Sequence, residues 1–388
     1  MNWKAKPLGS CIEVFDSCRR PVTKKDRVLG PYPYYGASGI VDYVDSYIFE
    51  GLHVLVAEDG ENLRSRKLPI AYLADGRFWV NNHAHVLRAN DENDTRFLSY
   101  MIESLDLSGF ITGSTQPKLS QAALLSIPLR LPKLAEQRRI AGVLGALDDK
   151  IKSNLRVRNL CRDLGGNLVA DTVRSAPSTQ LEHYAASISR GVTPQYYKDE
   201  DASPVLVLNQ KCIRDGWVTP ELARLMTPRA REKSQAIARL GDLLVNSTGQ
   251  GTLGRVARWD SDDPIYVDSH VTVVKADPRR IYPVLMPYLV FPLQDEIEHM
   301  ATGSTGQTEL SPSRLAQLNV PLLSLEEQRP LSARLVALEA QAHYCQVQSL
   351  KLTELRDALL PELMSGRMRV DEAGCLVSEA LDEEVADV

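Results

Sequence analysis

The chemistry that the chain most readily suggests is phosphate binding at a glycine-rich loop. Residues 249–254 read GQGTLG, which fits the pattern G-x-G-x-x-G, and a strand-like stretch, GDLLVNST, leads into them. A dinucleotide site also requires a helix directly after the loop, because amide groups at a helix N-terminus hold the pyrophosphate. The residues that follow, RVARWDSDDPIYV, are β-like and contain Pro264. We therefore interpret GQGTLG as a tight glycine turn.

Metal binding is the second chemistry to consider, at the histidines of the segment NNHAH. His83 and His85 are two residues apart, so on a strand they share one face. A similar segment, VDSHVT, keeps His270 but has Thr272 in the place of the second histidine. No carboxylate pattern accompanies the pair, so we predict hydrogen-bonding histidines and no metal site.

Several catalytic patterns do not occur in the sequence. It contains no G-x-x-x-x-G-K-[ST] loop for nucleoside triphosphates and no G-x-S-x-G nucleophile elbow. It also lacks the N-P-P-[YF] or D-P-P-Y segment that adenine methyltransferases use. The sequence therefore predicts a protein that is not itself an enzyme.

A tandem repeat organises the chain. The phrase TGSTQPKLS (112–120) returns as TGSTGQTELS (302–311). Its continuation, LSQAALLSIPLRLPKLAEQRR (119–139), matches LSPSRLAQLNVPLLSLEEQRP (310–330) at a constant offset of 191 residues. Upstream segments match at offsets that drift only where loops are expected, so a whole domain-sized unit is duplicated.

The first part of each repeat is predicted to be globular. Residues 1–133 and 176–324 are rich in glycine, proline and aromatic residues, and short β-like runs alternate with turn signals and helical pieces. We expect an α/β (or α+β) domain in each copy.

The second part of each repeat is predicted to be a long spacer helix, over 134–175 and 325–370. Apolar residues in it follow 3–4 spacing, and at about 1.5 Å per residue a helix of 35 residues spans roughly 50 Å. In the first copy the row is broken at Asn154 and Arg158 and resumes at Leu160, Leu164 and Leu168. The residues predicted for helix pairing and subunit docking are Ile140, Leu144, Leu147, Ile151, Leu331, Leu335, Leu338 and Leu352.

Two such helices from one chain are expected to pair antiparallel, in a coiled-coil-like manner with pseudo-two-fold symmetry, and to hold the two domains apart. The alternative is that each helix packs only on its own domain. Two similar domains at a fixed distance suit double-stranded DNA, where equivalent points on one face recur about every 34 Å.

Composition bounds the remaining possibilities. The chain has 388 residues and a formal net charge of −5, and its end, 371–388, carries seven acidic residues and no basic one. We predict this acidic tail to be poorly ordered. Six scattered cysteines without a C-x-x-C pair indicate reduced thiols, and no apolar run is long enough for a transmembrane helix, so we expect a cytoplasmic protein.

The chain resembles the DNA-specificity subunit of Type I restriction-modification systems. The resemblance rests on GSTQPKLS…IPLRLPKLAEQRRIAGVLGALDDKI, on LRDALLPELMSGRMRV (355–370), and on PYPYYGASGIVDYV (31–44) with AEDGENLRSR…WVNNHAHVL. It implies that 1–133 and 176–324 are target-recognition domains that read the two halves of a bipartite DNA site.

The resemblance also implies partners. Two adenine-methyltransferase subunits, which use S-adenosylmethionine, would dock on the helices, and motor-nuclease subunits, which use ATP and Mg, would join them. The specificity subunit itself would catalyse nothing and bind no cofactor.

Candidate DNA contacts are basic, amide and hydroxyl side chains, because these reach phosphates and base edges. In the first domain they are Lys24, Lys25, Tyr34, Tyr35, Gly36, Ser38, Asn62, Arg64, Arg66, Asn82, His83, Thr115, Gln116 and Lys118. In the second they are Asn209, Gln210, Lys211, Ser247, Thr248, Gln250, Thr252, Ser269, His270, Thr305, Gln307 and Thr308. The alternative function from another class is a two-headed scaffold that binds proteins and not DNA.

Overall fold

The computed structural model describes residues 3–197, 203–228, 234–301 and 308–382. The chain divides into two compact units. Unit 1 comprises Met1–Asn154 and Gln348–Val388, and unit 2 comprises Leu155–Val347.

Unit 1 is a mixed α/β structure. Its strands are β1 (Lys4–Pro7), β2 (Ile12–Val14), β3 (Tyr32–Gly36), β4 (Gly39–Val44), β5 (Phe49–Glu50), β6 (His53–Ala57), β7 (Ala71–Ala74), β8 (Arg77–Val80), β9 (Ala84–Ala89) and β10 (Pro128–Leu131). Its short helices are α1 (Asn62–Ser65), α2 (Thr95–Ser104) and α3 (Gln121–Ser126), and the long helix α4 (Leu134–Val173) starts here. The sheets have the orders β2-β9-β6-β7, β4-β3-β8-β5 and β1-β10.

Unit 2 repeats this arrangement. Its strands are β11 (Ser178–Gln180), β12 (Ala185–Arg190), β13 (Val205–Leu208), β14 (Ile213–Arg214), β15 (Trp217–Val218), β16 (Arg224–Met226), β17 (Ile237–Ala238), β18 (Leu243–Asn246), β19 (Val256–Arg258), β20 (Ile265–Val267), β21 (Val271–Ala276) and β22 (Asn319–Pro321). Its helices are α5 (Leu285–Val290), α6 (Gln294–His299), α7 (Pro312–Leu315) and the first part of the long α8 (Leu325–Ser365). The end of α8 and the helix α9 (Val370–Asp382) belong to unit 1.

The strand orders of unit 2 are β12-β21-β18-β19, β16-β13-β20-β17 and β11-β22, which match the three sheets of unit 1 one for one. In both units the third strand also pairs in parallel, β3 with β8 and β13 with β20. The central strands β6 and β18 are buried along their whole length, as their apolar sequences HVLVA and LLVN predict. The predicted fold class, a duplicated α/β unit with two long helices, is confirmed.

One difference between the described parts of the two units lies in the connection between two corresponding strands. A two-residue turn, Ala37 and Ser38, joins β3 to β4 in unit 1. In unit 2 the corresponding strands β13 and β16 are joined by residues 209–223, which contain the additional hairpin β14-β15. This insertion makes the connection 13 residues longer in unit 2 than in unit 1.

The glutamine of the repeated EQR segment joins each globular part to its long helix. Gln137 is buried, and its amide donates to Asn93 Oδ1 and to the carbonyl of Pro132, both at 3.0 Å. Its carbonyl oxygen accepts from the backbone N–H of Asp94 at 2.9 Å. All hydrogen-bonding groups of this buried carboxamide except one lone pair are thereby used at the junction.

Gln328, 191 residues later, makes the same kind of junction in unit 2. Its amide donates to the carbonyls of Arg280 (3.1 Å) and Leu323 (2.9 Å), and it accepts from the N–H of Tyr282 at 3.0 Å. The EQR segment is therefore a structural signature of the junction between the globular part and the helix.

The two long helices run antiparallel within unit 1. Asn154 of α4 donates to Gln348 of α8 at 2.6 Å, and Asp148 accepts from Arg356 at 3.0 Å, so residues later in one helix meet residues earlier in the other. In unit 2, Val169 near the end of α4 shares a core with Leu331 and Leu335 near the start of α8.

The structure places the predicted helix-pairing residues on buried faces. Ile140, Leu144, Leu147, Leu331, Leu335 and Leu352 are buried, and Ile151 and Leu338 are partly buried. The limits predicted for the domains and spacer helices remain a prediction.

The predicted continuation of the apolar row in α4 is wrong at two of its three residues, since only Leu168 is partly buried against the core of unit 2. Leu160 and Leu164 are 56% and 50% exposed. The buried face instead continues through Asn154, the largely buried Arg158, and Cys161, which keeps the 3–4 spacing unbroken. Polar residues occupy this face because they have partners across it. Arg158, for example, donates to Asp260 at 2.9 Å.

The prediction of a poorly ordered tail is wrong for the residues up to 382. Val370–Asp382 form helix α9, and Val370, Ala373 and Val377 are buried against unit 1. Their 3–4 spacing gives the acidic segment one apolar face, which the charge count alone concealed. The last six residues, 383–388, lie outside the described part of the chain.

Among the described residues, no helix combines the length and the apolar character that crossing a membrane requires.

Candidate nucleic-acid interface

The repeated phrase lies at one edge of unit 1, where it meets the loop after β6. Lys118 and Asp59 form an isolated antiparallel bridge, and the N–H of Leu119 donates to the carbonyl of Glu58 at 2.8 Å. Gly60 donates its N–H to the carbonyl of Pro117 at 3.0 Å. The phrase is therefore pinned to the sheet by backbone hydrogen bonds.

Unit 2 forms the same edge after β18. Glu309 and Thr248 make the equivalent bridge, and the N–H of Leu310 donates to the carbonyl of Ser247 at 2.9 Å. Leu310, like Leu119 in unit 1, is fully buried and anchors the segment. Two loops of the same kind thus meet at corresponding places in the two units.

An exposed histidine stands beside each bridge. The N–H of His83 donates to Asn81 Oδ1 at 2.8 Å, and the N–H of His270 donates to Asp268 Oδ1 at 2.9 Å. Each histidine therefore lies on a turn that a side chain two residues earlier stabilises. The Nδ1 atom of His83 lies 2.9 Å from both carboxylate oxygens of Asp59. In unit 2 the Nδ1 atom of His270 lies 2.7 Å from Thr248 Oγ1.

The second histidine of unit 1 is buried in a charged network beneath the edge. His85 Nδ1 lies 2.6 Å from Asp16 Oδ2, and its Nε2 lies 2.9 Å from the carbonyl oxygen of Leu119. Arg19 donates to Glu58 at 2.6 Å and lies within ion-pair distance of Asp16. In unit 2 the corresponding place is filled by a hydrogen bond of 2.5 Å between Ser247 and Thr272.

The environment sets the charge of the two acids in this network. Burial by itself raises the pKa of Asp16, but the hydrogen bond from His85, the N–H of Val86 and the charge of Arg19 hold that pKa below its usual value. The pKa of Glu58 is likewise raised by burial and lowered by more through Arg19 and Lys118. Both carboxylates are ionised at neutral pH.

Asp16, Glu58 and His85 are the group of side chains in the described residues that is arranged closely enough to hold a cation, with ligand atoms within 4.8 Å of one another. Arg19 and Lys118 already neutralise these carboxylates, with Lys118 Nζ 3.2 Å from Glu58 Oε1. An additional cation would have to displace them, so the residues fit an internal ion-pair network better than a metal centre.

Several predicted contacts in unit 1 have internal roles. Tyr34 is 1% exposed, and its hydroxyl oxygen accepts from the N–H of Val22 at 2.9 Å. Arg64 donates to the carbonyl of Ser114 at 2.9 Å and so supports the start of the phrase. Asn62 donates to the carbonyl of Leu68, and Arg66 donates to the carbonyl of Glu103. Tyr35 packs against the rings of Tyr72 and Phe78, and Gly36 is buried.

Arg64 and Arg66 are exposed although they make these hydrogen bonds, and the other predicted contacts of unit 1 are exposed as well. These others are Lys24, Lys25, Ser38, Asn82, His83, Thr115, Gln116 and Lys118. The structure brings His83, Lys118 and the loop around Asp59 together at the edge, because the bridge and the histidine turn share Asp59.

In unit 2 the predicted contacts again separate by exposure. Asn209, which is 8% exposed, accepts from the N–H of Lys211 and donates to the carbonyl of Leu222. Ser247 is fully buried. Lys211, Gln250, His270 and Thr308 are exposed, Gln210, Thr248, Thr252 and Ser269 are partly buried, and Thr305 and Gln307 lie outside the described residues.

The glycine-rich segment of unit 2 forms a turn that leads into β19, not into a helix. The N–H of Gly254 donates to the carbonyl of Asn246 at 2.9 Å, which closes the turn. Gly249 has φ +101°, and a Cβ there would lie 2.3 Å from Thr252 Oγ1 and 2.6 Å from Gln210 Oε1. Glycine is required at this position by the crowding as well as by the backbone angle.

This turn and the phrase enclose a polar cleft of about 360 Å³ in unit 2. Its lining residues are Gln210, Thr248, Gly249, Gln250, His270, Thr308 and Glu309. Amide, hydroxyl, imidazole and carboxylate groups thus converge on one cleft, and they supply both hydrogen-bond donors and acceptors. Sequence reasoning did not include Glu309 among the candidates. The signal that could have found it is the change from lysine to glutamate between the two copies of the phrase.

A family model described as the Type I restriction modification DNA specificity domain matches residues 1–159. A type I restriction enzyme specificity subunit of Haemophilus influenzae is 38% identical over 148 residues, which is 38% of this chain and 37% of that protein. The EcoprrI specificity subunit of Escherichia coli is 26% identical over 144 residues, or 36% of this chain and 34% of that protein. These alignments cover little more than a third of either relative.

A solved structure shares the fold over nearly the whole chain. It is the S subunit of a Type I restriction-modification system from M. genitalium, with 17% sequence identity and a TM-score of 0.53 over 94% of this chain and 96% of that one. At this level of identity the similarity concerns the fold.

Proposed function

We propose that this chain, which belongs through its residues 1–159 to the Type I restriction-modification DNA specificity family, reads DNA sequence for a methyltransferase complex. It is the specificity subunit of that complex and catalyses nothing itself. The chain recognises a bipartite site in double-stranded DNA, with one half read by each repeat.

In this proposal residues 1–133 and 176–324 are the two target-recognition domains. Residues 134–175 and 325–370 are the spacer helices, on which two methyltransferase subunits dock. The methyltransferase subunits bring S-adenosylmethionine, and motor-nuclease subunits that join the complex bring ATP and Mg. The complex acts where the DNA is, in the cytoplasm of a bacterium or archaeon.

The observation that carries the proposal is the duplicated edge. In each unit the loop after a buried strand is bridged to the repeated phrase, by Asp59 with Lys118 and by Thr248 with Glu309, and an exposed histidine stands beside the bridge. A rigid edge built from backbone hydrogen bonds, with exposed polar side chains, suits base and phosphate contacts, because such contacts require fixed donors and acceptors.

The proposed contact set is narrower than the one predicted from sequence. In unit 1 it comprises the exposed residues Lys24, Lys25, Ser38, Asn82, His83, Thr115, Gln116 and Lys118. In unit 2 it comprises Lys211, Gln250, His270 and Thr308 with the partly buried Gln210, Thr248, Thr252 and Ser269. The buried Tyr34 and Ser247 support the loops and do not touch DNA.

The test is to purify the chain with its methyltransferase subunits and to select bound sequences from a random pool of double-stranded DNA. We expect a bipartite motif, two separated protected patches in a footprint, and an affinity whose logarithm falls steeply with the logarithm of salt concentration. A single continuous patch, or none, would contradict the proposal. A complex that forms with the partner subunits but selects no DNA would indicate the two-headed protein scaffold.

A further inference from the structure

Lys118 and Glu309 occupy the same place in the two units. Each directly precedes a fully buried leucine, Leu119 or Leu310, whose N–H is bonded to the strand end opposite. Each forms the isolated bridge described above, to Asp59 and to Thr248. The backbone therefore carries the two side chains to equivalent positions at the edge of their units.

The two side chains are chemical opposites. The lysine ammonium only donates hydrogen bonds, and the glutamate carboxylate only accepts them. Their side chains are 54% and 57% exposed, so both groups remain accessible at the edge. A charge reversal at a matched and exposed position changes what the edge can recognise, and it leaves the fold unchanged.

Among the described residues, each of the two groups is also held in place by one ion pair. Lys118 Nζ lies 3.2 Å from Glu58 Oε1, and the carboxylate of Glu309 pairs with Arg190. One partner leaves further hydrogen-bonding capacity on each group, since an ammonium has three donors and a carboxylate about four lone-pair sites. The ion pairs therefore orient the groups without using them up.

The surroundings of Glu309 favour contact of its carboxylate with the edge of a base over contact with a phosphate group. It lines the 360 Å³ cleft together with Gln210, Gln250 and His270, and the described residues that line this cleft include no lysine or arginine. A carboxylate repels phosphate, whereas it accepts well from the exocyclic amino group of cytosine. Amide side chains beside it read base edges in the same way.

We propose that Lys118 and Glu309 are specificity-determining residues that read opposite hydrogen-bond polarity in the two half-sites. Lys118 donates to the O6 and N7 acceptors of a guanine in the half-site of unit 1, and Glu309 accepts from the N4 amino group of a cytosine in the half-site of unit 2. This inference rests on the proposed function, because it assigns two residues of the same DNA-reading surface.

The experiment compares motifs selected from a random double-stranded DNA pool by complexes that carry the wild-type chain, Glu309→Lys, Glu309→Gln or Lys118→Glu. We expect Glu309→Lys to move one position of the second half-site from cytosine to guanine, with a change in relative binding of roughly ten-fold or more. Lys118→Glu should move one position of the first half-site from guanine to cytosine. In each case the other half-site should be unchanged.

Two variants separate base reading from charge and folding. Glu309→Gln keeps a hydrogen-bond acceptor for Arg190 and adds no positive charge. Because glutamine reads adenine through N6 and N7, this variant should shift the same position of the second half-site from cytosine towards adenine. Glu182→Lys makes the same charge change as Glu309→Lys at a different place in unit 2. Glu182 lies before the start of β12, whereas Arg190, the ion-pair partner of Glu309, is the last residue of that strand. It should change the affinity for all sequences alike and leave the motif intact.

The possible failures are distinct. If the wild-type complex selects no motif, the proposed function itself is wrong. If the wild type selects a bipartite motif and the folded Glu309→Lys and Glu309→Gln complexes select the same one, only this inference is overturned. The same conclusion follows if Glu182→Lys alters the motif as Glu309→Lys does.

Discussion

Tyr288 of α5 donates its hydroxyl hydrogen bond to Glu339 of α8 at 2.6 Å, and so ties the globular part of unit 2 to its long helix. Tyr100 of α2 makes the corresponding bond to Asp148 of α4 in unit 1. Asp148 and Glu339 are separated by the same 191 residues as the two EQR segments. Burial and the neighbouring carboxylate raise the pKa of both phenols far above its usual value, so both hydroxyls donate at neutral pH.

The tether in unit 2 predicts a loss of stability in Tyr288→Phe. The variant leaves a carboxylate oxygen of Glu339 without its buried donor, although Arg258 still pairs with this residue. We expect the free energy of unfolding to fall by roughly 1–3 kcal/mol in urea titrations. Tyr282→Phe is the control, because the side chain of Tyr282 is 37% exposed. Equal stability of the two variants would show that the tether contributes nothing.

The network around His85 predicts acid sensitivity of unit 1. Asp16 and Glu58 have folded-state pKa values below their usual ones of about 4, so their contribution to stability is present above those usual values. It is lost progressively as the pH falls below them towards the lower folded-state values. The free energy of unfolding measured by urea titration should therefore change little between pH 6 and about pH 5 and should decrease as the pH falls from about 5 to 3. Glu58→Gln should be less stable at pH 6 and should show a smaller decrease. Asp91→Asn, at an exposed acid, should keep the wild-type slope.

Much of the fold could be predicted because its signals are local or repeated. The phrase, the EQR segment and the 3–4 spacing each recur in the second copy, which indicates a duplicated globular part followed by a long helix. The face of α4 beyond Ile151 was mispredicted because Asn154 and Arg158 are buried through partners far away in sequence, Gln348 and Asp260. No local pattern identifies such partners.

The candidate interface was only partly predictable for the same reason. Exposed loop residues such as His83 and Lys118 follow from turn signals and from the match between the copies. The carboxylates of Asp16 and Glu58 reach His85 only because the sheet of unit 1 brings three separate segments together. Tyr34 belongs to an aromatic and glycine-rich segment that looks exposed, yet its ring fills the core.

The buried amide pair between the long helices predicts a measurable coupling. Asn154 and Gln348 are 3% and 8% exposed and share a hydrogen bond of 2.6 Å. Asn154→Leu should cost roughly 1–3 kcal/mol of unfolding free energy, because a buried polar partner loses this bond. The double variant Asn154→Leu with Gln348→Leu should recover most of that loss. A double-mutant cycle measures the coupling energy, and a value near zero would mean that the pair does not stabilise the helix pairing.

Helix α9 predicts different effects at two neighbouring residues. Val377 is 4% exposed and Leu376 is 42% exposed, so only the first lies on the buried face of the helix. Val377→Ala removes two buried carbons at about 0.8 kcal/mol each, so it should lower the free energy of unfolding by roughly 1.5 kcal/mol, whereas Leu376→Ala should change it little. Equal effects in thermal or urea unfolding would contradict the packing of this helix on unit 1.

The junction at Gln137 predicts that each predicted target-recognition domain can be replaced separately, with a change in one half of the DNA motif. Two of its three hydrogen bonds go to backbone groups, the N–H of Asp94 and the carbonyl of Pro132, and do not depend on the side chains of the grafted domain. Replacing residues 1–133 by the corresponding domain of another specificity subunit should therefore leave the start of α4 intact. The selected DNA motif should change in one half only, and replacement of 176–324 should change the other half. A graft that folds but alters both halves would show that the two repeats do not read DNA independently.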